Sequence, residues 1–407
     1  MVKKVTSASI AVLAACTVAH FLNHVYTGAI APFLPVIRNE LSMSLTEAGM
    51  ITSAAILTMT LAHLAVGYYA DKGWRDRLIP ISVLLGGLFI LLAGFASSFL
   101  YLLVCMLLLG LGVSGFHPCS FPALADRFPT TKRASAVGVQ AMGGLIGTAL
   151  IPVLGVALLV ILGDWRDSLI LLGLVGLIVF LPVAALMRQD RLDLSCEQET
   201  EQEKGPDGWT RSYYLAILYS GLRGIPFRCT NLLMPLYLVV SYGYEPVWAG
   251  SLTTLMIGTG FIAEIISSPV SDRIGKRVPF IIMSTAVMTP FLLLLNFALA
   301  PIPLALALMG IGFFYYWGLP PYQAYQTEIS PRNSKGLAFG VLFSIGALPG
   351  AISPWIFGAI GDLYGLQASI LFLVATSALA TVVALFMRER PASISSELDS
   401  EAVLENF

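Results

Sequence analysis

The run FLYLLVCMLLLGLGVSGFHPCSFPALA, residues 99–125, decides the class of fold. It is continuously apolar from Leu100 to Gly112, and the whole run is long enough to cross a bilayer as a helix, which takes about 20 residues. A membrane barrel would show short segments of alternating polarity instead. Eleven further segments read the same way, near 8–37, 45–70, 78–97, 134–162, 166–187, 212–240, 246–271, 278–299, 303–328, 336–361 and 367–387. The composition agrees. Of 407 residues 57% are hydrophobic and 12% charged, against about 25% charged in soluble domains, and mean hydropathy is +0.82. A net charge of -1 offers no basic field for nucleic acid. The five cysteines fall in no metal or redox spacing. No disulfide, metal site or cofactor is expected.

The first segment follows Lys3-Lys4 and contains Leu13-Ala14-Ala15-Cys16, a lipoprotein-like box. It runs too far past that box for a leader, so it is read as an uncleaved spanning helix. Positive charge then orients the chain. Of 23 Lys and Arg, only Arg38 and Arg166 lie in outer loops once the N-terminus is placed in the cytoplasm, and Arg223 and Arg228 lie inside a helix. Both termini therefore face the cytoplasm. The polar stretch Gln189–Trp209, with Glu197, Glu199, Glu201 and Glu203, is too charged to pack a core and reads as a linker. The expected plan is an all-α membrane protein of twelve spanning helices. Residues 1–188 form a six-helix bundle, 189–211 a cytoplasmic linker, 212–390 a second six-helix bundle, and 391–407 a disordered tail.

An internal repeat supports two related halves. Between segments 2 and 3 stands Gly67-Tyr68-Tyr69-Ala70-Asp71-Lys72-Gly73-Trp74-Arg75-Asp76-Arg77, and between segments 8 and 9 stands Ser268-Pro269-Val270-Ser271-Asp272-Arg273-Ile274-Gly275-Lys276-Arg277. Both loops resemble the G-x-x-x-D-[RK]-x-G-[RK]-[RK] signature of the major facilitator superfamily, with Gly73 one position early and Ser268 in place of glycine. The resemblance implies that Gly67, Asp71, Lys72, Asp272 and Arg273 gate the cytoplasmic side. The plainer reading has these charges anchor helix ends at the interface.

Ala19-His20-Phe21-Leu22-Asn23-His24, Gly110-Leu111-Gly112-Val113-Ser114-Gly115-Phe116-His117-Pro118 and Gln140-Ala141-Met142-Gly143-Gly144 are similar to the fosmidomycin-resistance branch of that superfamily. The likeness implies efflux of small anionic or amphiphilic compounds in exchange for protons. His24 and Cys119 stand where that branch tends to carry an acid.

Ionisable groups inside spanning helices are costly and point to function. Thr17, His20, His24 and Thr27 form one stripe on the first helix, with Asn23 beside it, and His117 precedes Pro118, which should break its helix near mid-membrane. With Gln140 they form the expected first-half wall of a substrate chamber. His63 has only Thr60 near it on its face and reads as structural. Arg223 and Arg228 share one helix, and Glu264 is the one acid deep in any spanning segment. One arginine is expected to pair with Glu264 and the other to hold an anionic group of the solute; snorkelling of one to the cytoplasmic side is the bland alternative. Glu264 and His24 are the expected coupling groups. Tyr316 and Trp317 are candidate cavity residues, although aromatics in such helices more often pack or meet lipid. The glycines of segments 5 and 11 are expected to let helices approach across the two halves.

The functional reading is a monomeric secondary transporter of the inner (plasma) membrane, moving a small anionic or amphiphilic organic solute by alternating access, with H+-coupled efflux. The alternative is import or exchange of an organic anion. A remote alternative is an intramembrane serine protease, from Gly112-Val113-Ser114-Gly115; the duplicated plan does not suit it. Neither a phosphate-binding loop nor H-E-x-x-H is present, and no catalytic residue is expected. If the imidazoles couple protons, replacing both His20 and His24 by Gln removes the pH dependence of transport; an unaltered pH profile contradicts that role.

Overall fold

The computed structural model describes residues 5–188, 209–330, 341–342 and 344–389, and every regular element among them is helical. Ahead of the linker lie α1 (Ser7–Gly28), α2 (Leu34–Glu40), α3 (Leu45–Tyr69), α4 (Arg75–Ala93), α5 (Phe99–Val113), α6 (His117–Arg127), α7 (Thr130–Leu162) and α8 (Trp165–Arg188). After it come α9 (Arg211–Tyr242), α10 (Pro246–Ile274), α11 (Val278–Leu294), α12 (Pro301–Trp317), α13 (Leu319–Ile329), α14 (Leu348–Tyr364) and α15 (Leu366–Leu385). Nine stretches among the described residues are long and apolar enough to cross a membrane, with α5–α6 and α12–α13 each counting as one. The other three segments of the sequence reading fall short for separate reasons. Helices α11 and α14 have 17 residues each, and α9 has 32 but carries Arg223, Arg228 and two internal prolines. Most of the expected linker, the expected tail and residues 336–340 of the eleventh segment lie outside the described residues.

Local chemistry sets the helix ends. Thr6 with Ser9 and Ser44 with Glu47 form capping boxes, and Ser98 and Thr210 cap α5 and α9 through their hydroxyls. Gly163, Gly243 and Gly275 close α7, α9 and α10 in the left-handed region. Two spans break midway: α5 yields to α6 around Ser114–Phe116, ahead of Pro118, and α12 yields to α13 at Gly318, ahead of Pro320 and Pro321. A broken helix exposes carbonyls that lipid cannot satisfy. Asn23 meets one of them, its Nδ2 donating to the Val113 carbonyl over 2.9 Å.

Apart from α3 and α14, whose most extensive packing is against each other, helices α1 and α4 to α8 pack chiefly within their own group, as do α9 to α13 and α15. The two groups meet mainly where α3 lies on α14 and α7 on α10. Named contacts there fall at one end. The Asp362 carboxylate accepts from the Leu45 and Thr46 amides at 3.0 and 2.7 Å and from the Thr46 hydroxyl at 2.5 Å, placing an anion on the N-terminus of α3. Beside it Ser53 Oγ accepts from the Trp355 amide at 3.0 Å, and a Cβ at Gly358 would come within 2.1 Å of the Leu45 carbonyl. At the other ends of α3 and α7, a Cβ at Gly67 or Gly138 would meet nothing within 4 Å. The named contacts between the two groups thus lie toward one end of α3, and the Gly67 and Gly138 positions toward the other are open.

The glycines of α7 act differently from expectation. Gly143, Gly144 and Gly147 lie against Thr17, His20 and Phe21 of α1, inside the first group rather than across the halves. Gly358 does serve the contact between groups; Gly340 lies outside the described residues.

The repeated loops stand at the open end and are braced alike. Arg75 pairs with Asp126 at 2.8 Å and Arg277 with Glu328 at 3.1 Å, each across 51 positions, so each loop is tied to the end of its own broken span. Arg127 adds a bond to Asp76 at 3.0 Å. The early Gly73 is accommodated by a π-turn over Ala70–Trp74 and takes φ 83°, in the same left-handed region as Gly275 at 67°. Asp272 pairs with Arg277 of its own loop at 2.6 Å. Exposed Lys72 sits 4.3 Å over the Tyr68 ring, and Arg273 is exposed. The Asp71 side chain lies outside what is described.

Replacing Asp362 by Ala removes a charged hydrogen-bond set of about 1.5–3 kcal/mol and should raise the population opened at that end roughly tenfold or more. Spin-label distances between the ends of α3 and α14 report it; an unchanged distribution contradicts the latch.

Candidate functional site

Spacing of four on α1 puts His20 and His24 on one face, and the break before α6 presents His117 toward them. All four histidines of the chain meet here. Ring centroids lie 4.8 Å apart for His20 and His24, 5.3 Å for His20 and His117, 5.8 Å for His24 and His117, and 5.9 Å for His63 and His117. His63 therefore belongs to the cluster, a correction to the structural reading. Its own helix offered only Thr60 on that face, and its ring partner comes from α6.

Two of the rings are held by their Nδ1 atoms. That of His20 lies 2.8 Å from the Gln140 carbonyl, and that of His24 lies 2.7 Å from Thr148 Oγ1. Phe116 stacks on His20 at 4.9 Å. Gly144 lies against the same ring, where a Cβ would come within 2.4 Å of Nε2. His24, His63 and His117 are half-buried although they stand within spans, as expected of walls around a polar chamber.

Two expected ligand residues serve the frame instead. Asn23 is 4% exposed with its amide spent on Val113. Gln140 is fully buried, and its Nε2 reaches Ser120 Oγ at 3.4 Å. Thr17 and Thr27 return their hydroxyls to carbonyls of α1, so only the histidines of that stripe offer free polar atoms.

On α9 the two arginines separate. Arg223 is 5% exposed; its Nη2 donates to the Tyr315 carbonyl at 3.1 Å and its Cζ lies 4.0 Å over the Tyr315 ring. Among the described residues Glu264 makes no ion pair with either arginine, and its Oε2 is buried without a partner. Arg228 makes no hydrogen bond or ion pair among the described residues; its Cζ lies 5.4 Å from the Phe227 ring. It is half-buried.

Phe227 stacks on Tyr315 at 4.2 Å, and both line a small cavity with Asn231 and Tyr316. Trp317 instead stacks on Phe280 and Phe313, each at 5.7 Å, and packs. Phe227, Asn231 and Thr148 were not singled out by sequence reasoning. Thr148 stands one turn beyond Gly144 on α7, the only local sign of its role.

Set against known proteins, residues 16–222 and 216–404 match the model of the Major Facilitator Superfamily. The cis,cis-muconate transport protein of Acinetobacter baylyi is 25% identical over 374 residues, covering 87% of this chain and 88% of that protein. The fosmidomycin resistance protein of Escherichia coli is 24% identical over 353 residues, covering 84% and 86%. Relatives of other named solutes thus match as well as that branch, and no single branch is marked out. A bacterial homologue of the human lysosomal transporter Spinster, in an inward-facing and unoccupied conformation, superposes with a TM-score of 0.79 at 18% identity, covering 95% of this chain and all of that one.

Asn23→Ala leaves the Val113 carbonyl unpaired and should destabilise the purified protein by about 1–3 kcal/mol. Arg228→Met removes an uncompensated charge and should leave thermal stability equal or higher. Thermal melting in detergent checks both; a stabilised Asn23→Ala or a strongly destabilised Arg228→Met contradicts the assignment.

Proposed function

Because the chain belongs to the Major Facilitator Superfamily, a family of transporters rather than enzymes, we propose that its solute is a small organic anion and that Arg228 holds it. The protein is a secondary transporter of small organic solutes with the alternating-access fold, a multi-pass protein of the inner membrane. Within that frame the proposed plan is two six-helix bundles, residues 1–188 and 212–390, with cytoplasmic termini, and a single chain as the working unit. The positive-inside reading then puts the Asp362 contact outside and the paired loops inside, so the chamber opens to the cytoplasm.

One observation carries the proposal: Arg228 stands within a spanning helix, half-buried and unpaired among the described residues. An arginine at a helix centre costs roughly 2.5–3.5 kcal/mol on an insertion scale. While the chamber is open, water lowers that cost. Closing the halves around an empty site would strip the water and leave the charge bare. A carboxylate or similar group that forks onto the guanidinium removes the penalty, so the anion itself permits closure. Glu264, with a free buried oxygen near Arg223, is the proposed proton carrier, together with His24. Arg223 is then a positioning residue that holds Tyr315. Tyr316, with Phe227, flanks the solute.

Efflux in exchange for protons remains the proposed direction. Uptake or exchange of an organic anion is the second reading, favoured by the relative named for cis,cis-muconate, itself a dicarboxylate. The gating roles of Gly67, Asp71, Lys72, Asp272 and Arg273 are proposed for the opposite state, in which the inner ends approach. Proteoliposomes loaded or bathed with cis,cis-muconate, with and without a pH gradient, test the reading. Arg228→Gln should lose at least 90% of transport while still reaching the membrane, and an Arg223→Gln, Arg228→Gln double variant should lose it all. Wild-type flux by either would falsify the anion site.

A further inference from the structure

We propose that His20, His24 and His117 bind a divalent transition-metal ion of the zinc type, carried in complex with the anion that Arg228 neutralises. One donor nitrogen from each of the three rings lies within 4.8 Å of the others. Donors sharing a tetrahedral zinc at about 2.0–2.1 Å stand roughly 3.4 Å apart, so ring movements of about an ångström complete the site. The rings are also prepared as metal ligands are. A ligating imidazole usually gives its second nitrogen to a carbonyl or other oxygen, which fixes its tautomer and direction. His20 does this with the Gln140 carbonyl and His24 with Thr148, which leaves both Nε2 atoms free. The His117 ring has no hydrogen bond among the described residues. Spacing of four on one helix is the spacing by which helical metal sites set two histidines on one side. Imidazole suits zinc, copper, nickel and cobalt better than calcium or magnesium.

Arg228 narrows the ligand further. As the proposed holder of the solute anion, its guanidinium would repel a bare dication that shares the chamber. A metal already holding a carboxylate-bearing ligand brings the negative group that Arg228 needs and keeps open coordination positions for the imidazoles. The metal is cargo here, not a resident cofactor. This second part rests on the anion reading; the three-histidine site does not.

The test uses full-length protein purified without a polyhistidine tag and titrated with Co2+ alone, whose visible absorption reports imidazole coordination. Wild type should show the cobalt bands. His24→Ala and His117→Ala should each weaken binding at least about tenfold, and Thr148→Val by roughly tenfold with Thr148→Ser restoring it. Arg228→Gln should bind bare Co2+ more tightly than wild type. Absence of bands, or bands unchanged in a His24→Ala, His117→Ala double variant, overturns the metal site. Muconate stabilisation measured in a chelator reports the anion reading separately. If it survives while cobalt binding fails, the metal proposal alone falls.

Discussion

A charge inside a bilayer must find a partner, water or a polar chamber, and among the described residues Arg228 has no hydrogen-bond or ion-pair partner. The rest of the site follows from that constraint. Several other polar groups of these spans are tied to the protein: Asn23 to a carbonyl left by a broken helix, His20 to Gln140, His24 to Thr148, Arg223 to Tyr315. Beside them, the unpaired guanidinium of Arg228 is where the proposed anion belongs. It also links binding to movement, because closing the chamber dry is unfavourable until an anion is present.

Two devices make such movement feasible without loosening the halves themselves. Within each half, the loop after its second span is tied by an arginine to the end of its broken fourth span, Arg75 to Asp126 and Arg277 to Glu328. These pairs are partly exposed and individually modest. Their repetition at the same separation ties each loop to the end of the broken span of its own group. Between the halves the strong contact is local, where Asp362 sits on the start of α3. Rigid halves joined at one end can pivot, whereas halves joined along their length could not.

Much of the fold was legible because lipid imposes simple rules: continuous apolar runs, breaks at prolines, and charge at the ends of spans. The break at His117-Pro118 and the duplicated loop were readable for that reason. What escaped was contact between distant segments. His63 looked inert because its partner comes from α6. Asn23 looked like a ligand residue because a polar amide on a helix face carries no sign that a carbonyl of α5 awaits it. The glycines of α7 were right in kind, since they permit close approach, but the partner is α1. Arg223 and Arg228 were equivalent in sequence. Only the stacking of Tyr315 beneath Arg223 distinguishes them.

The claim that a water-filled chamber exposes Arg228 has a direct measurement. In protein whose five native cysteines are replaced by serine, Arg228→Cys should react with a charged, membrane-impermeant thiol reagent applied from the cytoplasmic side. Organic anions that bind should slow that reaction. A thiol at 228 that resists the reagent from both sides, yet reacts with an apolar one dissolved in lipid, would put the side chain against acyl chains and contradict the account.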